Sequence, residues 1–295
     1  MTTPRTPVLT AGLWMLGAIV SFSLMAIAGR TLASTLDTFE IMFYRSLMGI
    51  VLVTAIATAT GTLGQINRQR MGLHGLRNVA HFAGQNLWFF AITAAPLAQV
   101  FALEFTTPLW VLILSPLFLG ERLTGLKVIA ALLGFAGVLL VVRPGADFTL
   151  GIGSVAAALA AIGFAGSMIA TKLLTRTTGI VCILFWLTVM QAAFGAITAG
   201  FDGDIALPDA AGWPWVVLVA VCGLTAHFSL TRALTIAPAS VVVPFDFARL
   251  PVIALIGYFL YHEPLDTWVI AGAVVIFAGN YINVWGATRP AVAGR

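Results

Sequence analysis

The chain reads as an all-α integral membrane protein: ten transmembrane helices arranged as two inverted five-helix repeats, residues 1–145 and 146–295. Three observations predict this fold: a shortage of charge, apolar blocks of membrane-spanning length, and an internal repeat without gaps. Of the 295 residues, 60% are hydrophobic and 9% charged, and the mean hydropathy is +1.02. Soluble domains carry roughly 25% charged residues, because charge keeps a folded surface wet. So little charge excludes a soluble enzyme, and so much apolar side chain excludes a disordered scaffold. The formal net charge of +4 and pI near 9.5 do not signal nucleic acid. The cations stand singly between apolar blocks and form no basic run, so no nucleic-acid partner is expected.

A helix needs about 20 apolar residues to cross the hydrocarbon core. Blocks of that length run over 11–29, 39–59, 74–94, 96–119, 124–142, 152–172, 180–200, 213–235, 239–260 and 267–287. They are joined by short connections, and they are continuous, unlike the alternating strands of about ten residues in a β-barrel. The first block lacks the short apolar region and cleavage pattern of a removable leader, so it is read as a retained span. Cys182 and Cys222 fall inside apolar blocks, where they serve as packing residues and not as a disulfide.

Orientation follows from lysine and arginine counted by side. Arg5, Arg68, Arg70, Arg77, Arg122, Lys127, Lys172, Arg176, Arg232, Arg289 and Arg295 lie at the termini and in the loops after spans 2, 4, 6 and 8. The other side offers Arg30 and Arg143 beside Asp37, Asp147, Asp202, Asp204, Asp209, Glu263 and Asp266. Both termini are therefore expected in the cytoplasm of a bacterial-type cell, with the chain crossing the inner membrane many times. The lipid bilayer is its solvent, and a monomer is the expected state.

The third observation is the repeat. Ala95-Pro96 recurs as Ala237-Pro238, an offset of 142 residues. The same offset carries Val100 to Val242, Glu104 to Asp246, Phe105 to Phe247, Glu121 to Glu263, and Phe135-Ala136-Gly137 to Phe277-Ala278-Gly279. Apolar helices share residues by chance, but a gapless register of paired acids, prolines and Phe-Ala-Gly does not arise that way. Each copy holds five spans, and an odd number sends the second copy into the membrane from the opposite side. Inverted repeats of this kind mark transporters, because exchanging the conformations of two such halves alternates access between the two sides.

The stretch Ala95-Pro96-Leu97-Ala98, through Gly120-Glu121-Arg122-Leu123-Thr124, to Gly134-Phe135-Ala136-Gly137-Val138 resembles the EamA-type repeat of the drug/metabolite transporter superfamily. Ala237-Pro238-Ala239-Ser240, through Pro244-Phe245-Asp246, to His262-Glu263-Pro264-Leu265 resembles the second copy, with the Gly-Glu-Arg-Leu-Thr element altered. The resemblance implies ten helices and a central cavity for a small-molecule substrate between the halves. It further implies amino-acid export as the first expectation, with uptake of riboflavin or S-adenosylmethionine as the alternative. A membrane receptor that binds without moving its ligand is the reading outside transport.

Charges within spans cost roughly 2.5–3.5 kcal/mol each, so each needs a reason. Arg45 in span 2 and Glu104 in span 4 both lie about 10–12 Å below the same boundary at 1.5 Å per residue. Matched depth and opposite sign predict a structural ion pair between them, or a place on a substrate or proton path. Asp246 and Arg249 are three apart and share a face of span 9. His81, Gln85 and Trp88 form one stripe on span 3 at spacings of four and three, with His227 and Thr231 on span 8. The expected cavity lining is therefore His81, Gln85, Trp88, Glu104, Trp186, His227, Asp246 and Arg249. For a zwitterion, Glu104 or Asp246 would take the ammonium and His81, Gln85 or Arg249 the carboxylate. Glu104 is expected to be structural more than protonatable.

Enzymes are the rival class, and their motifs are incomplete in this chain. His262-Glu263 opens an HExxH pattern, but Asp266 stands where the second histidine belongs. No GxSxG elbow occurs, and Gly151-x-Gly153-x-x-Ala156 opens an apolar span instead of following a strand. No enzyme activity, cofactor or metal site is expected.

Overall fold

The computed structural model describes residues 5–142, 151–262 and 267–288. Arg143, Asp147, Glu263, Asp266, Arg289 and Arg295 lie outside them, and with them half of the Glu121–Glu263 repeat pair. The described residues form helices and no strand. In chain order these are α1 (Arg5–Leu32), α2 (Thr38–Ala59), α3 (Met71–Ala94), α4 (Leu97–Glu104), α5 (Thr107–Leu119) and α6 (Gly125–Val142). Then follow α7 (Ile152–Leu174), α8 (Ile180–Thr198), α9 (Trp213–Ile236), α10 (Ala239–Val242), α11 (Arg249–Tyr261) and α12 (Thr267–Thr288). Two 3₁₀ turns, Leu63–Gln65 and Val243–Ala248, complete the set.

Local chemistry sets the ends. Asp37 opens α2 with a capping box: its carboxylate accepts from the Phe39 and Glu40 amides, and Glu40 accepts from the Asp37 amide, satisfying otherwise orphaned donors. Pro96 and Pro238 push the residue before them out of helical geometry. Ala95 (φ −149°, ψ 161°) and Ala237 (φ −137°, ψ 162°) accordingly end α3 and α9 in extended conformation. Gly120 closes α5 in the left-handed region (φ 69°), and 142 residues on His262 closes α11 the same way (φ 54°). A histidine there is uncommon, so the repeat has kept the backbone turn where it lost the glycine.

Two expected spans are broken helices. Span 4 divides into α4 and α5 after Glu104, and span 9 divides around Val243–Ala248, which holds Asp246. Pro108 has no N–H to offer the Glu104 carbonyl, and the Thr107 hydroxyl takes that carbonyl at 2.6 Å instead. Ser115 does the same before Pro116, donating to the Leu112 carbonyl at 3.4 Å. Freed carbonyls in lipid must find such internal partners.

Seven segments among the described residues are long and apolar enough to cross a membrane. The other expected spans differ for physical reasons. Apolar stretches of α6 and α12 are shorter, Gly125–Leu140 and Thr267–Gly279. The 24-residue α3 carries His74, Arg77, Asn78, His81, Gln85 and Asn86, all buried, so its polarity is turned inward. The outer surface is apolar in complement: α1 exposes Leu9, Leu13, Leu16 and Val20, at 56–69% of their area. Such a surface belongs in lipid.

The principal packing pairs are α1 with α9, α2 with α8, α3 with α7, and α6 with α12. Small residues let these backbones meet. A Cβ on Gly137 of α6 would lie 2.6 Å from the Gly272 carbonyl oxygen of α12, and one on Gly279 2.7 Å from that of Ala130. At the α3–α7 seam, a Cβ on Gly163 would lie 2.8 Å from the Ala80 carbonyl oxygen and 3.0 Å from Gly84 Cα. Gly166, one turn on, meets its nearest atom only at 3.7 Å. Gly163→Ala should therefore destabilise the protein by about 1–3 kcal/mol, while Gly166→Ala should be tolerated. Thermal unfolding of both variants in the same detergent checks this.

Candidate functional site

A cavity lies between α1, α3, α4, α7, α9 and the broken segment leading into α11. Phe22, Met25, Phe164, Met168 and Leu230 supply its apolar wall, and Arg77, His81, Gln85, Trp88, Glu104, Ser167, Thr171, His227, Thr231, Asp246 and Arg249 its polar wall. Its volume is about 40 Å³. That is room for a few water molecules.

Arg249 organises one end. Its Nη2 donates to Glu104 Oε1 at 2.5 Å and to Asp246 Oδ2 at 2.6 Å. Trp88 Nε1 holds the other Glu104 oxygen, Oε2, at 2.6 Å. The guanidinium also sits against three aromatic rings, 5.0 Å from Phe22, 4.9 Å from Phe101 and 5.5 Å from Phe105, within cation–π range. One cation thus joins α3, α4, the Val243–Ala248 turn and α11. Asp246 Oδ1 and Arg249 Nε keep no partner among the described residues although buried, so this end still has an acceptor and a donor to offer.

In the middle, His81 Nε2 and His227 Nε2 meet at 2.9 Å. A hydrogen bond there requires one ring to donate and the other to accept. His81 Nδ1 and Gln85 Nε2 have no partner among the described residues. The far end belongs to Arg77, whose Nε donates to Thr171 Oγ1 at 3.2 Å and whose Nη1 donates to Asn78 Oδ1 at 3.0 Å.

Seven of the eight expected lining residues meet in this cavity; Trp186 does not. Its indole donates to the Asn67 carbonyl at 2.7 Å and leans on His74, because α8 packs against α2 and the 63–65 turn. The expected Arg45–Glu104 ion pair is also absent. Glu104 is held by Arg249 and Trp88, whereas Arg45 Nη1 approaches Met25 Sδ at 3.6 Å and its guanidinium lies beside Gly223. Equal depth on two helices does not place two side chains at the same azimuth. Asp246 and Arg249 do pair at a spacing of three, as the sequence suggested, but across the joint between the Val243–Ala248 turn and α11, and the same guanidinium reaches across to Glu104. Arg77, which the lysine and arginine count places among the boundary cations, is 2% exposed and lines the cavity. The signal was present, since Arg77, His81 and Gln85 continue one stripe at steps of four. Two further buried polar groups are satisfied within the protein: the Ser23 hydroxyl donates to the Ile19 carbonyl of its own helix, and the Gln191 amide to the Asn78 carbonyl.

The EamA-like transporter family model matches residues 9–143 and again 151–285. The riboflavin transporter of Brucella anthropi is 30% identical, over 82% of this chain and 86% of that protein. The S-adenosylmethionine uptake transporter of Rickettsia bellii is 25% identical over 92% of both chains. The pseudopaline exporter of Pseudomonas aeruginosa is 27% identical over 88% of this chain and 90% of that one. A solved protein structure superposes with a TM-score of 0.76 over 94% of this chain and 97% of that one, at 20% identity. It speaks for the fold alone.

Removing one member of a buried ion cluster strands the others, at about 3–5 kcal/mol. Arg249→Met should therefore unfold readily, and adding Glu104→Gln with Asp246→Asn should recover much of the loss. In double-mutant cycles on thermal stability, Glu104 should couple to Arg249 by about 1–3 kcal/mol and to Arg45 by less than about 0.5 kcal/mol.

Proposed function

The chain belongs to the EamA-like transporter family, and we propose that it is a secondary carrier moving a small polar metabolite by alternating access. The observation that carries this reading is the cavity itself: buried, lined from both matched segments, and holding hydrogen-bonding atoms without partners among the described residues. Atoms of that kind are costly unless something comes to meet them.

Ten spans in two inverted halves, dividing near residue 145, are part of the proposal. Elements α3, α4, α5 and α6 recur at an offset of 142 as α9, the segment from α10, α11 and α12. The packing pairs support an exchange symmetry. Spans 1 and 3 of one half pair with spans 3 and 1 of the other, 2 pairs with 2, and 5 with 5. Both halves lie in one chain, so a monomer is sufficient. The proposed orientation keeps both termini in the cytoplasm of a bacterial-type cell, with the chain in its inner membrane.

On the side assigned to the cytoplasm, the Glu121 carboxylate accepts from the Ala239 amide at 2.9 Å and from the Ser240 hydroxyl at 2.5 Å. Arg176 donates to the Leu119 carbonyl at 2.7 Å. At the opposite end, Glu40 accepts from the Ala206 amide and Tyr44 donates to the Ala206 carbonyl. Alternating access requires ties of this sort to open at one end while the other holds.

For the substrate, amino-acid export is the reading of sequence resemblance, while the three relatives above are named for other solutes. Uptake of riboflavin or S-adenosylmethionine therefore ranks first in this proposal, and amino-acid export second. The membrane receptor ranks last. Purified protein in liposomes should exchange labelled riboflavin or S-adenosylmethionine in counterflow faster than labelled tryptophan or alanine. Exchange of the amino acids alone would reverse the ranking, and tight binding without flux of any solute would favour the receptor. Imposing a pH gradient tests coupling: Glu104 and Asp246 are tied by Arg249, so flux should follow the solute gradient and not the proton gradient. Proton-driven accumulation that is lost in folded Glu104→Gln would overturn that expectation.

A further inference from the structure

Three arginines are buried in the described core: Arg45 at 6%, Arg77 at 2% and Arg249 at 2% exposure. Only Arg249 has an ion-pair partner among the described residues, and it has two. Arg77 satisfies Nε and Nη1 on neutral groups, the Thr171 hydroxyl and the Asn78 amide oxygen. Neither of those partners carries a charge, and the side chain lines the cavity. The Ser167 and Thr231 hydroxyls line the same cavity; Ser167 stands one turn from Thr171 on α7. Arg45, behind Met25 in the cavity wall, adds a second positive charge acting on the same region.

A buried guanidinium held only by neutral groups lacks the counter-charge that offsets its desolvation. Its hydrogen-bonding fork matches a carboxylate or a phosphate. We propose that Arg77, assisted by the Ser167 hydroxyl, forms an anion subsite at one end of the cavity that receives a carboxylate or phosphate group of the transported solute. The proposal rests on the transport reading and narrows it.

Distance narrows it further. Trp88, which holds Glu104, stands eleven residues beyond Arg77 on α3, about 16 Å of helix rise. A short α-amino acid bears its ammonium and carboxylate groups on one carbon and does not span from the Arg77 end to the Glu104–Asp246 end. An elongated solute does, with its acidic group at Arg77, its rings between Phe22 and Phe164, and a polar or cationic head at Asp246.

The test uses pairs that differ in the acidic group alone: S-adenosylmethionine with its decarboxylated form, and riboflavin 5′-phosphate with riboflavin. Equilibrium dialysis against the full chain in nanodiscs gives a preference ratio for each pair. The wild type should prefer the acid-bearing member at least about tenfold in one pair, as expected for a charge-assisted hydrogen bond. Folded Arg77→Gln should bring that ratio within about twofold. Arg77→Lys, which keeps the charge but loses the fork, should lower it part of the way, and it serves if the glutamine variant does not fold. Ratios near one for both pairs in the wild type, or an unchanged ratio in a folded Arg77 variant, would overturn the subsite. A clear preference without flux in liposomes would remove the transport reading and leave the subsite standing.

Discussion

One guanidinium bears on two helix breaks. Backbone that leaves helical geometry inside lipid, and carboxylates placed beside it, are each costly unless satisfied from within the protein. Arg249 answers part of both demands by binding Glu104 and Asp246 together, where the first broken helix meets the second. Trp88 fixes the remaining Glu104 oxygen, and three phenylalanine rings surround the cation. This cluster positions α4, α11 and the middle of α3, and the cavity is the space it leaves.

Backbone and side chains treat the repeat differently. Element ends, the Ala-Pro turns and the left-handed residues at 120 and 262 recur at an offset of 142. The cavity chemistry recurs only in part: Glu104 has its acidic counterpart in Asp246, but the arginines have no charged counterpart. Arg77 corresponds to Val219, His81 to Gly223, Gln85 to His227, Arg45 to Leu187 and Thr107 to Arg249. A symmetric frame suits the proposed exchange of roles between the halves, while one solute in one cavity would need only one set of contacts. The outcome is a cavity with a cationic end at Arg77 and an acid-rich end at Asp246.

Patterns within one helix were legible in the chain. The stripe His81, Gln85 and Trp88 follows from 3.6 residues per turn, and Asp246 with Arg249 from a spacing of three. Between helices, legibility failed. Depth arguments matched Arg45 to Glu104, and the azimuth that decides contact was not in the sequence. Trp186 looked like Trp88, an indole in an apolar span, but α8 packs on α2 and turns it towards Asn67. Arg77 resembled a boundary cation because its position near the start of α3 satisfies the orientation rule as well as a cavity role.

Composition, block length and repeat register by themselves determined a multi-pass helical chain, its paired segments and the inward-facing polar stripe. These follow from the lipid solvent and from helix geometry, both of which act locally along the chain. Tertiary structure alone decided which acid meets which arginine, that two spans break at their acids, and that Arg77 faces the cavity. Those outcomes depend on the rotation of each helix about its axis, which is set by small-residue seams such as Gly163 against Ala80 and Gly137 against Gly272.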